Sequence, residues 1–301
     1  MMRQAIARLM SFPLLSLSRE AIDAWLDDRA ASLGAALAYY TLFSLAPLLL
    51  IVVSVAGLVF GAEAARGEIF DQISGLMGPT SAAAIELLLA SVNWPAGNVL
   101  GTLIGICIMI IGATTVFAEL QNAFDQIWQV SAQKRSGLWA MLRGRVLSFG
   151  LVLGVGFLLI VSLLFSAAVA ALQKWWMPEM AGWEVLLGLL NTGIGFTLLV
   201  MVFAMIYKFM PRARIAWADV WVGSLVTATL FTWGRSLIGL YLGHSAVASG
   251  FGAASSLVVV LVWIYYSAQI FLLGAEFTWV YARRYGSQRA SDSSPESPKG
   301  K

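Results

Sequence analysis

Charge is scarce in this chain, and so are the side chains that build catalytic centres. Only 12% of the residues are charged, about half of what an ordinary soluble domain carries. There is one histidine, His244, and one cysteine, Cys107. A lone cysteine closes no internal disulfide and builds no metal cluster, so it is silent about redox compartment. A single histidine removes paired-histidine nuclease chemistry. No phosphate-binding loop, nucleophile elbow or zinc-ligand spacing is present. No enzyme activity and no cofactor or metal site are expected.

What the chain does have is apolar length. Hydrophobic residues make up 59% of the 301 positions. A soluble fold cannot hide that fraction, because most of its residues still touch water. The runs are long and uninterrupted, unlike the short alternating strands of an outer-membrane barrel. The expected class is an all-α integral membrane protein with six spans, at about 33–60, 98–118, 146–172, 185–207, 219–242 and 256–281. Residues 1–32 form a preceding arm, 33–285 one membrane domain, and 286–301 a Ser/Pro-rich, charged tail expected to be disordered.

Arg3 and Arg8 precede a short apolar patch broken by Pro13. No small-residue cleavage site follows, so a retained arm is expected, not a signal peptide. Ser18 can cap a helix that carries Ile22, Trp25 and Leu26 on one face, with Arg19, Asp23 and Asp27 elsewhere. That pattern suits an amphipathic helix on the membrane surface. Pro47 is expected to kink the first span, since it removes a backbone donor and clashes with the Phe43 carbonyl. Nearby hydroxyls, such as Ser44, can bond freed carbonyls. Between 61 and 97, two amphipathic runs (Ile69, Phe70, Ile73, Leu76, Met77, then Ile85, Leu88, Leu89, Val92) predict short helices resting on the outer face. Gly101 with Gly105, and Gly150 with Gly154, are small-xxx-small pairs that allow close helix approach.

Lys and Arg set the orientation. They cluster in the N-terminal arm (Arg3, Arg8, Arg19, Arg29), between spans two and three (Lys134, Arg135, Arg143, Arg145), and between spans four and five (Lys208, Arg212, Arg214). The tail carries Arg283, Arg284, Arg289, Lys299 and Lys301. Only Arg66 and Lys174 fall on the other side, and Arg235 lies within a span. The positive-inside rule therefore puts both termini in the cytoplasm. These basic residues flank spans in separate short segments, so the net charge of +3 does not point to nucleic acid. The partners expected are membrane lipids, and a second copy of the chain through the small-residue faces.

Four segments carry a resemblance to a known family. They are GAALAYYTLFSLAPLLL in the first span, ELQNAFDQIW after the second, YKFMPRARIAWADVWVGSL into the fifth, and GRSLIGLYLGHSAVASGFGAASSLVVVLVWIYYSAQIFLLGAEFTWV across the fifth and sixth. Together they resemble the YihY/BrkB family of bacterial inner-membrane proteins over about residues 20–285. The resemblance implies a six-helix cytoplasmic-membrane protein, virulence-factor-like, with transport of an envelope component as its suggested role. The family's older label of ribonuclease BN finds no catalytic constellation here. Residues 244–251 are poorer in Pro and Tyr than the family pattern, so nothing is carried over to them.

The candidate site residues are the polar groups within or beside spans. Glu276 lies seven residues before Arg283, about 10 Å along a helix, which places it in the cytoplasmic leaflet. Gln269 shares its face at i−7, and the small Gly274 and Ala275 admit a close neighbour. Glu276 reads either as a helix-to-helix contact or as a proton or substrate site. Arg235 belongs to the outer leaflet, where it snorkels to the surface or meets an anionic substrate. Snorkelling leads, and its match to a basic position in the family motif raises the substrate reading. Glu119, Asn122 and Asp125, at i, i+3 and i+6, read as a solvated helix end or as an inner vestibule with Glu276. Tyr39 and Tyr40 read as packing or interface residues, or as candidate transport or binding residues. Two functions from different classes follow: a transporter-like protein for an envelope lipid or other anionic or amphiphilic substrate, and a non-transporting scaffold or envelope-integrity factor.

The orientation is testable with reporter fusions. Alkaline phosphatase joined after Glu179 or after Ser249 is expected to be active, and after Arg289 inactive. Activity after Arg289 would overturn the cytoplasmic placement of the tail.

Overall fold

A computed structural model describes residues 13–77, 82–83, 85–87, 115–130, 183–244 and 255–289, with single helical positions at 154 and 158. Among the described residues there is no strand. The helices are α1 (Pro13–Asp27), α2 (Ala30–Phe60), α3 (Ala62–Met77), α4 (115–127), α5 (Trp183–Phe209), α6 (Trp217–His244) and α7 (Ser255–Arg284). Three of them carry windows long and apolar enough to cross a membrane: Gly188–Phe209, Trp217–Leu242 and Leu257–Arg284. These coincide with the fourth, fifth and sixth expected spans. The second and third spans lie almost wholly outside the described residues, as do Gly101, Gly105, Gly150 and Cys107. Gly154 is described, and a Cβ there would touch the Met205 thioether at 3.0–3.5 Å.

The described chain forms two compact units, one drawn from 1–24, 124–229 and 273–301, the other from 25–123 and 230–272. In the first unit, α1 docks on the end of α7. Leu17 and Ala21 are buried against Phe277 and Val280. Arg284 donates to Glu20 Oε1 at 2.6 Å and to Ser16 Oγ at 3.2 Å. An exposed pair of this kind contributes at most about 1 kcal/mol, so the apolar contact dominates. Ser18 does not cap this helix. It lies inside it, because the helix already includes Pro13, whose fixed φ suits a first turn. At 100° per residue, Leu15, Ile22 and Leu26 fall opposite Leu17 and Ala21, and all three are exposed. α1 is thus apolar on two faces, one docked and one open.

The centre of the first unit is the contact between α6 and α7. Gly223 faces Thr278, and Gly274 faces Thr227. The two pairs are reciprocal: each helix supplies a glycine and, four residues on, a threonine, and the helices run antiparallel. A Cβ on Gly223 would overlap the Thr278 hydroxyl and lie 2.7 Å from its Cβ. A Cβ on Gly274 would overlap the Thr227 hydroxyl and lie 2.6 Å from Tyr207 Oη. Each threonine hydroxyl also donates to the carbonyl of the glycine four residues earlier in its own helix, at 2.7 Å. The hydroxyls are therefore satisfied where water is excluded. Tyr207 of α5 reaches the same point. Its hydroxyl is 2.9 Å from Thr227 Oγ1, and its ring meets Phe124 of α4 edge-on with centroids 5.8 Å apart.

α4 ends in a Schellman turn. Val130 N–H bonds the Asp125 carbonyl at 2.9 Å, Gln129 N–H bonds the Gln126 carbonyl at 3.0 Å, and Gln129 takes the left-handed φ of 48°.

In the second unit, α2 follows a sharp corner at Arg29, with φ of 51°. Its first half packs on the first half of α7: Ala38 and Leu42 lie against Val260 and Ile264. Ile73 of α3 and Ile85 join this cluster, so the two short amphipathic runs contribute to a core and do not simply rest on a surface. α3 ends at Met77, before Gly78-Pro79, as the sequence predicts. α2 continues as helix through Pro47, whose side chain lies outside the described residues. Ser44 Oγ donates to the Thr41 carbonyl at 3.1 Å, not to that of Phe43. The second half of α6 meets α7 through Ile238, Leu242 and Val259, and Gly234 lies under Ile270 and Tyr266.

Closing the α6–α7 gap with a methyl group tests this packing. Gly223→Ala and Gly274→Ala are each expected to cost about 1–3 kcal/mol by overpacking, read as a lowered Tm in detergent. Gly239→Ala has open space around it and is expected to hold or raise Tm.

Candidate functional site

Among the described residues, the charged groups that the first unit removes from solvent are Asp125, Asp219 and Glu276. Desolvating an ionised carboxylate is expensive unless it is paired or hydrogen-bonded. Two of the three sit at helix ends. Asp125, in the last turn of α4, accepts from Arg212 Nη1 at 2.7 Å, and its side chain is 0% exposed against 24% for the arginine. Asp219, in the first turn of α6, accepts from the Ser287 amide at 3.1 Å and its hydroxyl at 2.6 Å. The positive end of the α6 dipole also favours a carboxylate there. Gly286 is required beside it, because a Cβ would lie 2.6 Å from Asp219 Cγ and 2.8 Å from Ala282 Cα.

Glu276 is different in kind. It is 0% exposed, and it sits in the interior of α7, midway between Gly274 and Thr278. Two helical steps turn it about 200° from each of them. It therefore faces away from the α6 contact.

The other predicted residues separate. Gln269 belongs to the second unit. Its Nε2 donates to the Ala31 carbonyl at 3.4 Å, it covers Gly34 so closely that no Cβ fits there, and its Oε1 is buried without a donor. Arg235 is exposed. Glu119 is half-buried, Asn122 exposed and Asp125 fully buried. Steps of three residues lag the helix by about 60° each, so the three carboxylate and amide groups do not share one face. Asp125 is not part of a solvated helix end. It is turned inward and paired. Tyr39 is exposed and Tyr40 half-buried, with rings 5.4 Å apart. Tyr39 also lies 4.8 Å from Phe43.

Sequence reasoning passed over Arg212, Asp219, Ser287, Tyr207 and Thr227. Arg212 was visible only as a topology charge. The repeated Gly-xxx-Thr spacing in neighbouring spans, at 223/227 and 274/278, was the available signal for the α6–α7 contact. Among the described residues no group of three or more His, Cys, Asp or Glu is placed to hold a metal.

Helices long and apolar enough to cross a membrane, with large apolar side chains exposed along them, are those of an α-helical membrane protein. The chain belongs to the Virulence factor BrkB family, whose sequence profile matches residues 21–299. It is similar to a UPF0761 membrane protein of Pseudomonas paraeruginosa, 29% identical over 257 residues, covering 83% of this chain and 59% of that protein. A UPF0761 membrane protein of Alkalilimnicola ehrlichii is 27% identical over 274 residues, 91% of this chain and 58% of its own length. One from Pseudoalteromonas translucida is 28% identical over 258 residues, 85% of this chain and 83% of its own. The chain thus spans less than two thirds of the first two relatives. No solved structure matches it.

The Asp125–Arg212 pair makes a quantitative prediction. Arg212→Ala takes a charge partner from a buried carboxylate and is expected to cost about 3 kcal/mol, the lower end for buried pairs because the arginine is partly wet. The double variant Asp125→Leu/Arg212→Met is expected to recover most of that loss. Thermal unfolding of the single and double variants in detergent decides it, and additive losses would mean that the two side chains are not coupled.

Proposed function

We propose that this protein moves an anionic or amphiphilic substrate, of the class of envelope lipids, across the bacterial cytoplasmic membrane, and that Glu276 is its working carboxylate. The observation that carries the reading is a carboxylate at 0% exposure inside an apolar helix. Ionisable groups in such a place are retained for a pathway, a proton or a counter-charge more readily than for packing. Gln269 and Arg235, both of the second unit, are kept as further candidate binding groups. The reading includes six spans within one membrane domain and cytoplasmic termini, as the distribution of Lys and Arg supports.

One observation favours a second reading. The reciprocal glycine–threonine contacts and the Asp125–Arg212 pair fasten helices directly to one another. A scaffold or envelope-integrity factor would need no more than that.

Reconstitution separates the two. In phosphatidylcholine/phosphatidylglycerol vesicles with a trace of NBD-phosphatidylglycerol, dithionite does not cross the bilayer, and it is expected to reduce probe that starts in the inner leaflet only when the protein is present to move that probe outward. Glu276→Gln is expected to retain yield and Tm while its rate falls to that of protein-free vesicles. A variant that is unstable, or one as active as the original, removes Glu276 from the transport role. No probe movement with the unaltered protein leaves the scaffold reading standing.

A further inference from the structure

The turn between α5 and α6 has two faces. Met210, Pro211 and Ile215 are buried, and Arg212 is committed to Asp125. Lys208 and Arg214 are left on the open side. Arg214 is exposed. Lys208 donates one hydrogen bond, to the Ile215 carbonyl, which leaves two of its three N–H donors for another acceptor. Neither cation has an acidic partner among the described residues.

Beside them stands an exposed aromatic wall. Trp217 is 46% exposed, Trp221 44% and Phe209 41%. The Phe209 and Trp217 rings meet edge-on at 6.0 Å, and Trp217 and Trp221 follow at 6.5 Å. The Lys208 ammonium lies 5.3 Å over Trp217. Leu225, one turn beyond Trp221, is also exposed. Trp217, Trp221 and Leu225 recur every four residues, so they form one stripe running from the turn into the apolar body of α6.

From this juxtaposition we propose that the α5–α6 turn is a binding site for an anionic membrane phospholipid. Lys208 and Arg214 take the phosphodiester, and the Phe209–Trp217–Trp221–Leu225 wall takes the upper acyl chain. The commitment to a lipid rests on charge complementarity combined with the stripe. A free phosphate would use the two cations and leave the apolar wall uncovered. Tryptophan at this level suits the headgroup boundary, and clustered basic residues there select anionic lipid. The site is independent of the transport reading, since it contains neither Glu276 nor any group assigned to the pathway.

Native mass spectrometry of the detergent-purified chain, titrated with dioleoyl-phosphatidylglycerol or dioleoyl-phosphatidylcholine, tests the site. Retention of phosphatidylglycerol over phosphatidylcholine is expected. Arg214→Gln and Lys208→Gln are each expected to weaken phosphatidylglycerol binding about fivefold, while Lys208→Arg retains it. Trp217→Ala is expected to weaken both lipids. Arg214 is exposed and makes no hydrogen bond or ion pair among the described residues, so its variant keeps the test valid even if Lys208→Gln destabilises the turn. Equal affinity for the two lipids, or undiminished phosphatidylglycerol binding by Arg214→Gln, overturns the proposal. Displacement of the lipid by glycerol 1-phosphate would show that the site reads a soluble phosphate and also overturns it.

Discussion

The distance between α6 and α7 is set by two glycines and two threonines, and much of the first unit depends on it. Apolar side chains gain little by meeting each other in lipid, because the acyl chains are equally apolar. Helix association there relies on close packing and hydrogen bonds. Gly223 and Gly274 remove the atoms that would hold the helices apart. Thr227 and Thr278 fill the space from the partner helix while keeping their hydroxyls bonded to their own backbone. Tyr207 then adds α5 through the same Thr227 oxygen, and Phe124 brings in α4. One close approach thereby positions four helices.

The buried carboxylates follow from that frame in different ways. Asp125 and Asp219 stand where helices end, and helix ends have donors to offer: a neighbouring turn's guanidinium in one case, a chain reversal and a dipole in the other. Glu276 lies in the interior of its own helix. It lies within the five-residue segment bounded by Gly274 and Thr278, turned away from the contact those two residues make. A substitution at 276 can therefore leave the α6–α7 contact intact, which makes it a useful place to separate function from assembly.

How much of this was legible beforehand depends on the range of the interaction. α5, α6 and α7 were legible within about two residues at most ends, because long apolar runs bounded by charge and proline are local signals. The end of α3 at Gly78-Pro79 was equally local. The Asp125–Arg212 pair was not legible. Its members are 87 positions apart, and each had a sufficient local reading, one as a helix end and the other as a topology charge. The start of α1 was missed because a good capping residue, Ser18, lies inside a helix that Pro13 already accommodates. The closeness signalled by Gly274 was legible, but its partner was not, since a Gly-xxx-Thr pair is less conspicuous than a Gly-xxx-Gly pair.

The basic residues between α5 and α6 show where counting stops and geometry begins. Lys208, Arg212 and Arg214 contribute equally to an orientation rule. Folded, they divide. Arg212 turns inward and pairs with a buried carboxylate. Its positive charge is thereby used up within the protein. Lys208 and Arg214 keep theirs on the outside, one over an exposed indole and the other in the open. Burial of Met210, Pro211 and Ile215 holds this division in place, because the turn cannot rotate Arg214 inward without bringing apolar residues out. A single short turn thus fastens α4 on one side while presenting charge and aromatic surface on the other.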